Sequence, residues 1–265
     1  HIDKDPWFAL GGNYKIKREC VKDYFDKYPD SIWRPKDKWY WPDGLKDPPA
    51  MPVDWVEGTV PRTIVEFCCS EQSLMGASQH LLDGCTVIRI TEKDDVLSDT
   101  GFNKALDAVK RGPCLLWASI PCTGGSQTWS VNIRKPGGEE KYKTHVEKFF
   151  AIWDKFKQVA EVCNEHGGKV AIEWPSTCSY WKQNRVNKII KQLKLKRYKC
   201  NGCAVGLVGG SQGLPIKKPW DICTNAAEIG EQFKSCRCPG PKHHPFHCIT
   251  GGDINKATEG YTPEF

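Results

Sequence analysis

The stretch Cys114-Leu-Leu-Trp-Ala-Ser-Ile-Pro-Cys-Thr-Gly-Gly-Ser126 constrains the fold more than any other part of the chain. From Cys114 to Ile120 only Ser119 is polar, so the segment has no solvent face and reads as a strand buried on both sides, as at the centre of a parallel sheet. Ligands of open α/β sheets bind outside the carboxyl ends of the strands. Cys122 falls at such an end, followed by the permissive backbone of Gly124 and Gly125. Chemistry is expected there.

The flanking sequence supplies the rest of such a sheet. Thr63–Cys69, Thr86–Ile90 and Lys169–Pro175 read as strands, the last carrying Glu173 near its carboxyl end. Between them, helices are expected over Ser70–Leu82, ending at Gly84, over Phe102–Arg111, stopped by Gly112-Pro113, and over His145–Asn164 and Trp181–Leu195. The glycine-rich segment Thr123–Glu140 is too long for a simple connector and reads as a lid. This β-α alternation predicts an α/β fold, a Rossmann-like three-layer αβα sheet over residues 63–225. Residues 1–62 read as an irregular Trp/Pro-rich arm with one short helix near Arg18–Lys27, and residues 226–265 as a Cys/His-rich tail.

At 265 residues the chain can bury a full core, and 39% hydrophobic with 26% charged residues places it among ordinary globular proteins. No apolar run approaches the roughly 18 residues that span a bilayer, so no membrane partner is expected. The chain begins with His1 and lacks an initiator Met, as would a processed product or a piece of a polyprotein or larger assembly. Several of its 14 cysteines, among them Cys68, Cys69, Cys114 and Cys163, occupy apolar core positions. That usage suits a reducing intracellular compartment, nucleus or cytoplasm. The net charge of +6 is compatible with a nucleic-acid partner or with a merely solvated surface. Between Trp181 and Lys199 eight Lys or Arg occur with no acid, either a solvated helix face or a phosphate-tracking stripe.

Cys236-Arg-Cys-Pro-Gly-Pro-Lys-His-His-Pro-Phe-His-Cys248, together with the CxxC of Cys200 and Cys203, forms a second constellation. Zinc takes four soft or borderline ligands in a tetrahedron, and a CxxC closed by a Cys/His pair is a common solution. The expected ligands are Cys200, Cys203, Cys238 and His244, with His247 or Cys248 as substitutes. Unliganded thiols beside a surface histidine cluster are the alternative.

Phe67-Cys-Cys-Ser70, Pro121-Cys122, Glu173-Trp-Pro175 and Gly213-Leu-Pro-Ile-Lys-Lys218 are ordered and spaced so that the chain resembles cytosine-5 DNA methyltransferases. It is also similar to methyltransferase-like segments of protist retroelement polyproteins. The resemblance implies a methyltransferase-type sheet, S-adenosylmethionine as cofactor and nucleic acid as partner, DNA in preference to RNA. It assigns attack on C6 of a flipped cytosine to Cys122, contact with N3 to Glu173, and support of both to Lys217 or Lys218. On the cofactor side it points to Phe67, Cys68 and Pro121, and to acids among Glu92, Asp94 and Asp95. The chain has no glycine across Glu66–Ser73 and has lysines where the family uses arginines. Two function classes therefore stand: an active methyltransferase, and a degenerate methyltransferase fold that binds nucleic acid or serves a larger assembly.

Overall fold

The structure, a computed structural model, describes residues 7–11, 14–17, 62–75, 85–209, 214–240, 247 and 261–262. In chain order its elements are β1 (Trp7–Gly11), β2 (Tyr14–Lys17), β3 (Arg62–Cys69), β4 (Cys85–Thr91), α1 (Asp99–Lys110), β5 (Leu115–Ala118), α2 (Trp129–Asn132), α3 (Gly138–Glu165), β6 (Lys169–Pro175), α4 (Asn184–Gln192), β7 (Lys196–Asn201), β8 (Val208–Gly209), β9 (Leu214–Pro215), β10 (Pro219–Thr224) and α5 (Ala227–Ser235). They fall into two compact units, one of residues Val60–Asn201 with Pro219–Arg237, the other of His1–Thr59, Gly202–Lys218 and Cys238–Phe265. The boundaries differ from those expected at 62 and 225. Residues 227–235 form a helix that belongs with the sheet, while the segment after β7 leaves it.

The first unit is an α/β domain around a six-stranded sheet of order β4-β3-β5-β6-β10-β7. β4, β3, β5 and β6 run parallel, and β10 lies antiparallel to both β6 and β7. β5 sits in the interior of the sheet, as its uninterrupted apolar sequence requires. Phe67 pairs with Ala118 and Ala118 with Ile172, which places Phe67, Ala118 and Ile172 on one face and Glu66, Trp117 and Ala171 on the other.

Helix α3 covers the first face. Phe149, Ile152, Trp153, Phe156, Val159, Ala160 and Cys163 recur at helical spacing and are all buried. Phe156 meets Phe67 at 5.4 Å between ring centroids, and Trp153 meets Trp174 at 5.6 Å. α1 and α4 add Ala105, Val109, Val186 and Ile189 to the same core. On the second face, the Phe233 ring of α5 lies 6.2 Å from Trp117. In the other unit, β1 and β2 form an antiparallel hairpin and β8 pairs antiparallel with β9. Its Gly202 N–H lies 3.0 Å from the Lys217 carbonyl and 3.1 Å from that of Lys218. The helix anticipated near Arg18–Lys27 lies outside the described residues.

Four expected elements take a different form. Residues 70–75 make turns instead of a helix because Arg89 donates to the carbonyls of Ser73 and Met75, at 3.1 and 3.0 Å, which withdraws them from any i→i+4 ladder; residues 76–84 lie outside the described part. The lid segment is not open loop: it holds a 3₁₀ turn at Thr123–Gly125, the short α2, and the first three residues of α3. α3 begins at Gly138, seven residues before the expected start, after Gly137 turns the chain at φ 69°. Its first turn carries Glu139 and Glu140, favourable at the positive end of the helix dipole. The basic helix is shorter than expected, a 3₁₀ turn over Ser179–Lys182 followed by α4.

The Phe67–Phe156–Trp153–Trp174 stack is the main lock between α3 and the sheet. Phe156→Ala should lower the unfolding free energy by about 3–5 kcal/mol in urea titration, the range for deleting a fully buried aromatic ring.

Candidate functional site

In the sheet, β3 is followed by β4 on one side and then by β5 on the other, so the connections leaving the carboxyl ends of β3 and β5 diverge. Such a switch point is where open α/β sheets hold ligands. A cavity of about 270 Å³ opens there, just under the roughly 300 Å³ at which small-molecule sites begin. Cys68, Cys69 and Ser70 wall it from β3, Thr91, Glu92 and Asp95 from the end of β4, and Pro121 from the end of β5. Lys148 and Ile152, one helical turn apart on α3, complete the opposite wall. Of the residues expected on the cofactor side, Cys68, Glu92, Asp95 and Pro121 line this cavity. Phe67 does not, because its ring is wholly buried in the core beneath.

Two local devices shape the cavity. Glu66, buried in β3, accepts from Ser73 Oγ at 2.6 Å and from Arg89 Nε at 3.1 Å, and so ties the turn after β3 to the neighbouring strand. Burial pushes the Glu66 carboxyl up, against the opposing pull of Ser73 and Arg89. On the β4 side, Asp94 accepts from the Thr91 N–H at 2.7 Å and from Lys104 Nζ at 2.6 Å. Of the three acids in the run, Asp94 is thereby spent on capping the turn, while Glu92 and Asp95 face the cavity. Cys68 adopts φ 62°, the left-handed conformation that glycine favours, at a cost of about 1–2 kcal/mol. Its thiol, next to Lys148, is pushed up to about 12, chiefly by burial.

Cys122 lies one residue beyond the Pro121 wall, half-buried, on the turn that leaves β5. Its thiol hydrogen-bonds with that of Cys178, which follows the end of β6. The hydrogen bond from Cys122 holds the Cys178 thiol below its usual range, against burial and the Glu173 charge. The turn fits because it is made of glycines: a Cβ at Gly125 would lie 2.6 Å from Cys178 Sγ, and one at Gly124 would strike the Tyr180 hydroxyl. Tyr180 stacks on Phe149 at 3.6 Å between centroids, and its buried hydroxyl has no hydrogen-bond partner among the described residues. Burial shifts its ionisation to higher pH, so it stays a neutral donor. Trp129 Nε1 donates to the Thr123 carbonyl at 2.7 Å and pins the far side of the turn.

Glu173 is buried in β6 opposite Ile222 of β10, on the sheet face that also carries Glu66 and Trp117. Nearby, Asp221 accepts from Ser176 Oγ at 2.5 Å and pairs with Arg197, whose guanidinium lies 4.4 Å from the Trp181 ring centroid. Arg185 is engaged by Asp154 at 2.6 Å. Two of the eight basic residues of the stripe are thus tied down, whereas Lys182, Lys188, Lys191, Lys194, Lys196 and Lys199 are exposed.

In the other unit, Cys203, Cys238 and His247 bring their ligand atoms within 4.8 Å of one another and could hold a metal ion. Cys238 Sγ is 3.4 Å from His247 Nε2. Burial and the facing Cys238 push the Cys203 thiol up to about 12, and burial with Lys217 keeps His247 in its neutral, lone-pair-bearing form. Of the expected ligands, Cys203 and Cys238 meet here with the substitute His247. Cys200 instead shares a hydrogen bond with Cys236, and His244 and Cys248 lie outside the described residues. Lys217 acts electrostatically on Cys203 and His247, and Lys218 adjoins it in the same segment.

Comparison with protein-family models, with curated proteins and with solved structures gives no match. The site therefore stands on its geometry. Sequence reasoning missed Cys178 and Tyr180 although Pro175-Ser-Thr-Cys178 follows β6 much as Pro121-Cys122 follows β5. It also missed Lys148, whose spacing from the apolar Ile152 was the available sign.

Asp94 links pH to the shape of the cavity. Burial opposes its ionisation, but hydrogen bonds from Lys104 and Thr91 outweigh it and hold its carboxyl below the usual value of 3.8. Its stabilisation is therefore complete above that value and is lost as pH falls through the lower folded one. Asp94→Ala should cost about 0.5–2 kcal/mol at neutral pH, the range for a lost helix cap, and acid melting curves of variant and wild type should converge.

Proposed function

We propose that the chain is a cytosine-5 methyltransferase-like protein that acts on nucleic acid, DNA in preference to RNA, with Cys122 as nucleophile and S-adenosylmethionine as cofactor. The observation that carries this proposal is the cavity at the β3/β5 switch point. Four of the positions that the resemblance assigns to the cofactor wall it, and Cys122 lies one residue past its edge.

The residues present fit the group. The Glu92 and Asp95 carboxylates can accept from ribose hydroxyls, Ile90, Val96, Leu97 and Ile152 offer an apolar wall for an adenine, and the Lys148 ammonium suits a carboxylate. When bound, S-adenosylmethionine supplies the methyl group. The Cys122 thiolate forms a bond to C6 of the cytosine and raises electron density at C5, Glu173 holds a proton at N3, and loss of the C5 proton expels the thiolate. The exposed lysines after Trp181 offer a phosphate-facing surface.

One observation favours the second reading, a degenerate fold that binds nucleic acid or serves a larger assembly. Cys68 and Cys69 present side chains on the β3 wall where glycines would let a cofactor approach the backbone. An oligonucleotide carrying 5-fluorocytosine separates the two, because fluorine blocks the final elimination. With S-adenosylmethionine present, wild type should form a covalent adduct, Cys122→Ser none, and Glu173→Gln the adduct about 100-fold more slowly. A folded wild type that forms no adduct supports the degenerate reading.

We further propose that the ion at Cys203, Cys238 and His247 is zinc. Two thiols and a neutral imidazole match its donor preference, and a divalent cation relieves the mutual hindrance of the two thiols to ionise. Elemental analysis of the full chain should find about one zinc, with less in Cys203→Ser, and chelation should lower the melting temperature. Metal-free protein whose melting is indifferent to chelator contradicts the assignment.

A further inference from the structure

Cys122 and Cys178 stand on the turns that leave two adjacent parallel strands, β5 and β6, and their thiols share a hydrogen bond. Their exposure is unequal: Cys122 is half-buried at the edge of an open cavity, whereas Cys178 is 4% exposed. Gly125 leaves the room that brings the Cys178 sulfur against the Cys122 turn. The pair thus combines a half-exposed cysteine with a second, shielded one beside it. The remaining S–H of such a pair donates to the first thiolate formed, so the first proton leaves more readily than from an isolated thiol, and the proton left behind can pass from one sulfur to the other, which lets the half-exposed Cys122 carry the thiolate. Cys114 and Cys163 provide an internal contrast. Their sulfurs are 3.7 Å apart, but both are buried in the core. Cys68 and Cys69 line the cavity, yet burial keeps their thiols protonated, pushed up to about 12 and about 11.

We propose that Cys122 and Cys178 form a reactive dithiol site for a small-molecule disulfide of the glutathione type, with Cys122 as the attacking and Cys178 as the resolving sulfur. The site does not depend on the methyltransferase reading. In the first step the Cys122 thiolate bonds to one sulfur of oxidised glutathione; the glutathione S–S bond breaks, and the departing thiolate takes up a proton. In the second, Cys178 loses its proton and its sulfur bonds to that of Cys122, expelling the second glutathione. Two protein thiols are oxidised by two electrons, and one glutathione disulfide is reduced to two thiols. Lys148 on the cavity wall offers a cation to the carboxylates of the incoming disulfide.

The test is incubation of the native full chain with oxidised glutathione, followed by intact-mass measurement and peptide mapping under non-reducing conditions. Wild type should lose two hydrogens, retain no glutathione, and yield a Cys122–Cys178 cross-linked peptide that dithiothreitol reverses. Cys178→Ser should stop at one glutathione on Cys122, and Cys122→Ser should give neither product. Retention of glutathione on Cys122 of wild type overturns the proposal, as does a bridge elsewhere, at Cys114–Cys163 or Cys200–Cys236, or no reaction at Cys122. If Cys178→Ser fails to fold, the wild-type map and Cys122→Ser, altered at a half-exposed position, decide the matter.

Discussion

The pairing of β3 with β4 along one edge and with β5 along the other is the constraint on which the rest of the domain depends. Parallel strands cannot be joined by tight turns, so each connection crosses the sheet, and connections that leave in opposite directions open a crevice between them. The side chains at the mouth of that crevice are therefore set by strand order. Ser70, Glu92 and Pro121 are distant in sequence but become neighbours because three strands end at one level.

Holding that edge open requires rigidity on both sides. Beneath it, the aromatic stack of Phe67, Phe156, Trp153 and Trp174 fixes α3 to the sheet, and α3 in turn delivers Lys148 to the cavity and Phe149 to Tyr180. Above it, polar contacts do the shaping: Glu66 and Arg89 hold the turn after β3, and Asp94 with Lys104 holds the turn after β4. An ion pair buried as deeply as Glu66 contributes little net stability, since desolvation offsets most of its Coulombic gain. Its effect is conformational. The same guanidinium that meets Glu66 also fixes two carbonyls of the turn, and no apolar replacement could do both.

The elements that were legible in the sequence are those whose burial is continuous. β5 has no polar face to hide, and α3 shows an apolar stripe from Phe149 to Cys163, so both follow from periodicity alone. The first turns of α3 were not legible, because residues 138–144 are polar on every side and are helical through the Gly137 turn and continuity with the apolar part. Nor was the non-helical course of residues 70–75, which depends on an arginine in another strand. At the site, Cys122 could be picked out because its type and position at a strand end carry chemistry, whereas Glu92 and Asp95 were pointed to only by the resemblance. Cys178 and Tyr180 could not, since their meeting with Cys122 arises from β5 and β6 being adjacent and from two glycines that leave space for them.

We propose that the crevice at the β3/β5 switch point takes S-adenosylmethionine. Isothermal titration of the full chain with that compound tests it most directly. Saturable heat at about one ligand per chain is expected, weakened about tenfold when Glu92→Gln and Asp95→Asn remove the charged acceptors on the β4 wall. The absence of saturable binding to folded protein, or binding indifferent to both substitutions, would contradict it.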